Sequence, residues 1–348
     1  MKIADTEIAS SSPPFVIAEM SGNHNRSLDR ALAIVNAAAD AGAHAIKLQT
    51  YTADTMTLDL DGPGFRIDDP NSLWHGQTLY KLYEQASTPW EWHAPLFERA
   101  KDRGLVAFST PFDETAVEFL ESLDVPCYKI ASFENTDLRL IRRVAATRKP
   151  LIMSTGMATL GELEASVTAA RDAGCSDLIL LKCTSAYPAT AADANLATLP
   201  HLRDMFRCEV GLSDHTMGVG VAVAAVAHGA TVIEKHFTLV RADGGVDSAF
   251  SLEPAELATL VSETRQAWAA KGSVAYGPQS ESEKASVQFR RSLYFVRDLA
   301  AGDVIDETAV RAIRPGHGLS PGEIDRVIGA RVVRNVARGT PVLWHCIS

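Results

Sequence analysis

Val210-Gly-Leu-Ser-Asp-His215, then Val219-Gly-Val-Ala-Val-Ala-Ala-Val-Ala-His228, then Thr231-Val-Ile-Glu-Lys-His236: two short apolar runs flank a longer one. The outer runs read as buried strands and the middle one as a single crossover helix. Strand, helix, strand makes the two strands parallel neighbours, about 4.7–4.9 Å apart. Each strand ends in a histidine. Imidazoles leaving adjacent strand tips can reach one ion, with metal–nitrogen bonds of about 2.0–2.1 Å in the zinc case. His215 and His236 are therefore candidate metal ligands, with positions left open for catalysis. The plainer reading is two hydrogen-bonded histidines near a sheet edge.

The alternation continues on both sides of this unit. Strand-like runs cover 15–19, 45–49, 106–110, 127–131, 151–154, 178–182, 209–213 and 232–236. Helical patterns fall at 28–41, 89–102, 114–123, 138–147, 161–173 and 219–228. A further helix at 254–270 starts as helices do, with Glu253, a proline and Glu256. Eight strand–helix units predict an α/β fold, a (β/α)8 TIM barrel over residues 1–270. A doubly wound open sheet is the alternative, disfavoured because no GxGxxG follows the first strand.

One connection, 51–88, is far longer than a strand-to-helix link needs. It carries Trp74 and a helical Leu-Tyr-Lys-Leu-Tyr stretch, and leads into Trp90 and Trp92. Leaving the C-terminal end of a barrel strand, it reads as a substrate lid or rim, or else as a structural excursion. Residues 271–291, rich in Gly, Ser, Gln and Glu, read as a linker. Residues 292–348 show short β-like runs and turn signals, and form a second, small β-rich domain. So small a domain buries little by itself.

The net charge of −10 and the absence of any basic stripe argue against nucleic-acid binding. No apolar run is long enough for a transmembrane helix, and no basic-then-apolar start suggests a signal peptide. Five cysteines without CxxC spacing fit reduced thiols in the cytoplasm. Cys127 and Cys183 read as small core residues, with no histidine evidently placed to activate either.

Barrel chemistry is built at the C-terminal strand ends, and the polar residues collect there. In strand order these are Glu19; Lys47 and Gln49; Thr110; Lys129 and Ser132; Ser154; Lys182 and Tyr187; Ser213 and His215; and Glu234, Lys235 and His236. Lysine is scarce, ten against 23 arginines, yet Lys47, Lys129, Lys182 and Lys235 all lie at strand ends within apolar runs. Buried lysine needs a partner. An anionic ligand supplies one, and lysine with hydroxyls suits phosphate; a core carboxylate would serve as well. Glu19 is a candidate general base or a buried ion-pair partner. His24 shapes a turn. A Schiff-base aldolase, working through one of these lysines without metal, is a rival. A carbohydrate-binding protein with the barrel as scaffold is another.

Taken together, eight segments resemble the sialic acid synthase family. They are Ile17-Ala-Glu-Met-Ser-Gly-Asn-His24, Ile46-Lys-Leu-Gln49, Phe108-Ser-Thr-Pro-Phe112, Tyr128-Lys-Ile-Ala-Ser132, Ser154-Thr-Gly-Met157, Cys183-Thr-Ser-Ala-Tyr-Pro188, Gly211-Leu-Ser-Asp-His-Thr216 and Glu234-Lys-His-Phe-Thr238. Arg314-Pro-Gly-His-Gly-Leu-Ser-Pro321 resembles the signature of that family's antifreeze-like (SAF-type) domain. Within the family, Ile46 to Thr52, Thr78-Leu-Tyr80, Thr88 to Trp92 and Gly244 to Ser251 are most similar to the pseudaminic acid branch. One departure is Asn25-Arg26, where the family often has a glycine.

The resemblance implies a metal-dependent condensation of phosphoenolpyruvate with an open-chain diacetamido-trideoxy-hexose, releasing phosphate. N-acetylmannosamine, giving ordinary sialic acid, is the alternative acceptor. It implies Mn2+, Mg2+ or Co2+ on His215 and His236. Lys47, Thr110, Lys129, Ser132, Ser154 and Ser213 match phosphoenolpyruvate contacts, and Gln49, Tyr187 and Asp247 match sugar contacts. Glu19 is assigned to the proton of the added water or to a positive centre. A domain-swapped homodimer is implied as well, Arg314 reaching the sugar in the neighbouring subunit.

Overall fold

The computed structural model describes residues 1–348. Eight parallel strands close into a barrel. They are β1 (Phe15–Glu19), β2 (Ala45–Thr50), β3 (Val106–Pro111), β4 (Tyr128–Ile130), β5 (Leu151–Ser154), β6 (Leu178–Cys183), β7 (Glu209–Asp214) and β8 (Val232–His236). The last strand pairs back onto the first, Val232 opposite Phe15 and His236 opposite Glu19. Closure removes every free edge.

Side chains alternate across each strand, and the apolar clusters divide accordingly. Val16, Ala18, Ile46, Leu48, Met153, Leu180 and Leu212 face outward and pack against the surrounding helices. Ile17, Phe108, Ile152, Leu181 and Val232 face inward and fill the lower barrel. Gly211 is the inward residue of β7 at that level. A Cβ there would run into the Val232 carbonyl and the Leu181 side chain, so only glycine fits. A hairpin that the sequence reading did not mark, Lys2–Ile3 with Thr6–Glu7, contributes Ile3 and Ile8 to the same inner cluster.

Moving up six of the eight strands, the inward position changes from apolar to polar: Ile17 to Glu19, Ala45 to Lys47, Phe108 to Thr110, Cys127 to Lys129, Ile152 to Ser154, Val232 to Glu234. The fold is thus a greasy plug below a polar mouth.

The helix after β8, Pro254–Lys271, starts with a capping box between Glu253 and Glu256 and Pro254 in its first turn, as the sequence predicts. Two helical expectations change. Between β6 and β7 lies a helix the sequence reading did not name, Thr198–Phe206, which buries Leu199, Leu202 and Phe206. The stretch read as one helix over 89–102 is a tight turn, Trp90–Trp92, followed by a helix that begins at His93. The long connection holds short helices Ala53–Met56 and Leu79–Ala86.

The chain divides into two compact units, Met1–Gly272 and Ser273–Ser348. Within the polar stretch read as a linker, Glu281–Ser286 is helical, capped by Ser280. The second unit pairs β9 (Ser292–Phe295) with β10 (Val310–Ile313) in antiparallel register. Leu293, Phe295, Ile305, Val310, Val327 and Val342 form its core.

Candidate active site

Four buried charges sit on the inward positions of β1, β2, β4 and β8. Lys47 Nζ pairs with Glu19, meets Thr110 Oγ1 at 3.1 Å and lies 3.7 Å from Glu234 Oε1. Lys129 Nζ donates to Glu234 Oε1 at 3.1 Å, and Ser213 Oγ donates to the same oxygen at 3.3 Å. All four charged residues are at most 4 % exposed. Two cations and two anions balance formally, so the cluster is tolerable in the low dielectric.

Burial pushes the Glu19 carboxyl up, against the pull of Lys47. Burial also opposes ionisation of Glu234, but Lys129 and Lys47 outweigh it and hold that carboxyl below the usual range. The same contest raises Lys47, where Glu19 and Glu234 prevail over burial, and lowers Lys129, where burial wins. The two carboxyls are thus driven apart, one toward proton exchange and one toward a fixed charge.

The sequence reading gathered four lysines at this end, and the structure gathers two. Lys235 faces outward and is held by Asp214 Oδ2 at 2.8 Å, with the Thr216 and Gly218 carbonyls. Lys182, also outward, donates to the Cys183 carbonyl and to Thr184 Oγ1. Each lies one position out of phase with its inward neighbours, Glu234 and His236 or Leu181 and Cys183. Neither belongs to the anion cluster.

His215 and His236 do converge, their ring centroids 5.3 Å apart. His215 Nδ1 lies 3.0 Å from the Thr184 carbonyl, a bond that assigns the proton to Nδ1 and leaves Nε2 with its lone pair. His236 Nδ1 is buried without a hydrogen-bond partner, 3.9 Å from Asp247 Oδ2. Burial, reinforced by nearby cations, keeps His236 neutral. No third imidazole, thiol or carboxylate completes a larger ligand cluster. Two buried imidazoles with uncommitted nitrogens fit a divalent cation whose other positions go to water or substrate.

Cys183, expected to be a core residue with no histidine near it, lies with Sγ 3.8 Å from His215 Nδ1. Burial raises thiols, but this contact draws Cys183 down to about 7. At His215 burial opposes the charged ring, but Cys183 and the Thr184 carbonyl outweigh it and hold the imidazole above its usual range.

Hydroxyls flank the lysines. Ser132 Oγ accepts from Gly156 N at 3.2 Å, and Ser154 Oγ is buried without a partner. On the other side, aromatic rings surround the histidines. Tyr187 is 4.5 Å from His215 and 5.2 Å from Phe250, which is 5.0 Å from His236. Trp74, on the long connection, stands 5.9 Å from Tyr187, its Nε1 donating to the Val246 carbonyl at 2.8 Å. Asp247 accepts from Ser21 Oγ, and burial raises its carboxyl. Gln49 is half-buried on β2. Arg314 belongs to the second unit, exposed just beyond β10.

Three groups escaped the list of candidates. Glu234 was read as one of several strand-end residues, although it shares the inward phase of His236. Glu134, on the turn after β4, has a buried unpartnered Oε2, and burial pushes its carboxyl up to about 7. Phe250 carried no signal of its own. His24 does shape its turn: Nδ1 accepts from Arg26 N at 3.1 Å and Nε2 lies 3.3 Å from Thr88 Oγ1. Asn25 and Arg26 both take left-handed backbone, φ 49° and 57°, a conformation that favours glycine.

The NeuB family model matches residues 34–276, and the SAF domain model matches residues 290–348. The chain is 43% identical over 325 residues to a pseudaminic acid synthase of Campylobacter jejuni, covering 93% of this chain and 94% of the relative. It is 40% identical over 330 residues to a pseudaminic acid synthase of Helicobacter pylori, covering 95% and 96%. Among solved structures, an N-acetylneuraminic acid synthetase of Leptospira borgpetersenii, in complex with citrate, superposes with a TM-score of 0.73 at 32% identity. That match covers 83% of this chain and 95% of the other.

Proposed function

The chain belongs to the NeuB family, and from that premise we propose the reaction it catalyses. It condenses phosphoenolpyruvate with 2,4-diacetamido-2,4,6-trideoxy-altropyranose, as the open-chain aldehyde, and water, giving pseudaminic acid and phosphate. It is a transferase that cleaves the C–O bond of phosphoenolpyruvate. The observation that carries this reading is the pairing, in one barrel mouth, of a buried lysine cluster with two facing histidines. The first suits a phosphorylated acid, the second a carbonyl. Identity of 40–43% to pseudaminic acid synthases supports this acceptor over that of ordinary sialic acid. A Schiff-base aldolase is disfavoured, because Lys47 and Lys129 are each tied to a carboxylate.

Lys47 and Lys129 hold the phosphate and carboxylate of phosphoenolpyruvate, with Thr110, Ser132, Ser154 and Ser213 donating hydroxyls. A divalent cation (Mn2+, Mg2+ or Co2+), when bound to His215 and His236, supplies Lewis-acid polarisation of the aldehyde. Gln49, Tyr187 and Asp247 orient the sugar so that carbon three of the enol ether meets the aldehyde carbon. Glu19, its carboxyl lifted by burial, takes the proton of the water that adds at the resulting oxocarbenium-like centre. Collapse of the tetrahedral intermediate expels phosphate.

The enzyme works in the cytoplasm, a reading supported by five free cysteines; no helix is long and apolar enough to cross a membrane. It acts as a domain-swapped homodimer in which Arg314 completes the neighbouring sugar site. Mixing Arg314→Ala with Glu19→Ala protein tests this, since shared sites return part of the activity and unshared sites return none.

The test of the reaction is phosphate release from phosphoenolpyruvate with the diacetamido sugar or with N-acetylmannosamine, with and without chelator. Release with the diacetamido sugar and metal alone supports the proposal. Release that survives chelator, or that prefers N-acetylmannosamine, overturns it.

A further inference from the structure

The mechanism leaves Lys235 without a role, although a buried lysine is costly. Its side chain is fully buried, and that of its partner Asp214 nearly so. The ammonium has three protons to give, and each finds an acceptor. These are Asp214 Oδ2 at 2.8 Å, the Thr216 carbonyl at 2.5 Å and the Gly218 carbonyl at 2.9 Å.

These contacts bracket the histidine pair. Lys235 immediately precedes His236 on β8, and Asp214 immediately precedes His215 at the end of β7. Lys235 and Asp214 stand opposite each other in the parallel register. Asp214 Oδ1 also accepts from Thr216 N at 2.9 Å, so the residues on both sides of His215 are tied to one ion pair. Nδ1 of His236 has no hydrogen-bond partner. The aim of that ring therefore rests on its packing against Phe250 and on the backbone that carries it.

We propose that Lys235 is a positioning residue for the metal site. From the outer side of the barrel wall, its ion pair with Asp214 clamps the tips of β7 and β8 and sets the reach between the two imidazoles. The inference rests on the proposed cation at His215 and His236 and adds what holds those ligands in place. Lys235 touches neither the substrates nor the cation. Groups that hold metal ligands from behind commonly change metal affinity by about 10–100-fold when removed.

Mn2+ binding to metal-free protein, followed by the paramagnetic resonance of the free ion, tests this without turnover. The site counted is the one that His236→Gln removes. The variants are Lys235→Met and the double variant Asp214→Asn/Lys235→Met. The double variant leaves no buried charge unpaired, and it decides the outcome where the single one does not fold. Gly211→Ala is the control, because it strains β7 at the level of the apolar plug and leaves the ion pair in place. Both Lys235 variants should bind Mn2+ about tenfold more weakly than wild type, and Gly211→Ala should stay within about twofold of it. Wild-type affinity in the double variant overturns the inference and leaves the proposed cation in place, as does equal weakening in Gly211→Ala. No such Mn2+ site in wild type overturns both.

Discussion

Replacing Glu234 with glutamine probes the buried charge cluster on which the site is built. Oε1 takes Lys129 Nζ at 3.1 Å and lies 3.7 Å from Lys47 Nζ, and the residue is 4 % exposed. At an effective dielectric of about 20, the two contacts carry about 4.5–5.5 kcal/mol each of raw attraction. Desolvation cancels much of that, and deleting one partner of a buried pair costs about 3–5 kcal/mol in sum. Glutamine keeps the shape and an acceptor, which puts the loss at the lower end, about 3 kcal/mol. For a chain this long each kcal/mol moves the melting point by about 2 °C, so Tm should fall by about 6 °C. Phosphoenolpyruvate replaces the missing anion, so saturating ligand should raise Tm more in the variant than in wild type. Thermal melts at matched protein concentration, with and without phosphoenolpyruvate, are the assay. A variant as stable as wild type, or one that the ligand stabilises no further than wild type, refutes the reasoning.

Chelator should abolish phosphate release and Mn2+ restore it. In His236→Gln protein, with a wild-type Tm, added Mn2+ should restore nothing, as a phosphate assay would show. Gly211→Ala forces a methyl against the Val232 carbonyl and should cost about 3 kcal/mol in urea denaturation, with activity per folded molecule retained. His24 and His93 are held neutral by burial, down to about 4 from 6.5. Unfolded rings gain protons from about pH 6.5 and folded rings only near 4. Stability should therefore fall across that window by about 3 kcal/mol per ring and level off below it. Comparing wild type with His93→Gln in denaturant between pH 7 and 4 isolates the His93 share.

The barrel was legible because each strand is a short apolar run with a polar tip, and because no run carries a nucleotide-binding glycine pattern. The histidine pair was legible for the same reason: both residues end their strands in the same phase. That phase also sorts the lysines. In Val232-Ile-Glu-Lys-His236, an inward His236 makes Glu234 inward and Lys235 outward, so alternation alone would have replaced Lys235 with Glu234 in the cluster. Lys182 fails by the same rule against Cys183. The helix Thr198–Phe206 was harder to see, since nine residues hold only three that are buried and apolar, with a proline in the first turn. Nothing local marked the amino-terminal hairpin, whose Ile3 and Ile8 make sense only under a closed barrel. Cys183 owes its lowered pKa to His215, 32 residues on, and Glu134 owes its raised one to burial in the closed barrel mouth, neither of which a single segment discloses.

The proposed chemistry places a carbon–oxygen bond of phosphoenolpyruvate, rather than its phosphorus–oxygen bond, at the breaking point beside Glu19. Phosphoenolpyruvate labelled with heavy oxygen at the bridging position, turned over with the diacetamido sugar and Mn2+, reports on this through the mass of the released phosphate. Heavy phosphate is the predicted result. Light phosphate, with the label retained in the nine-carbon product, would contradict it.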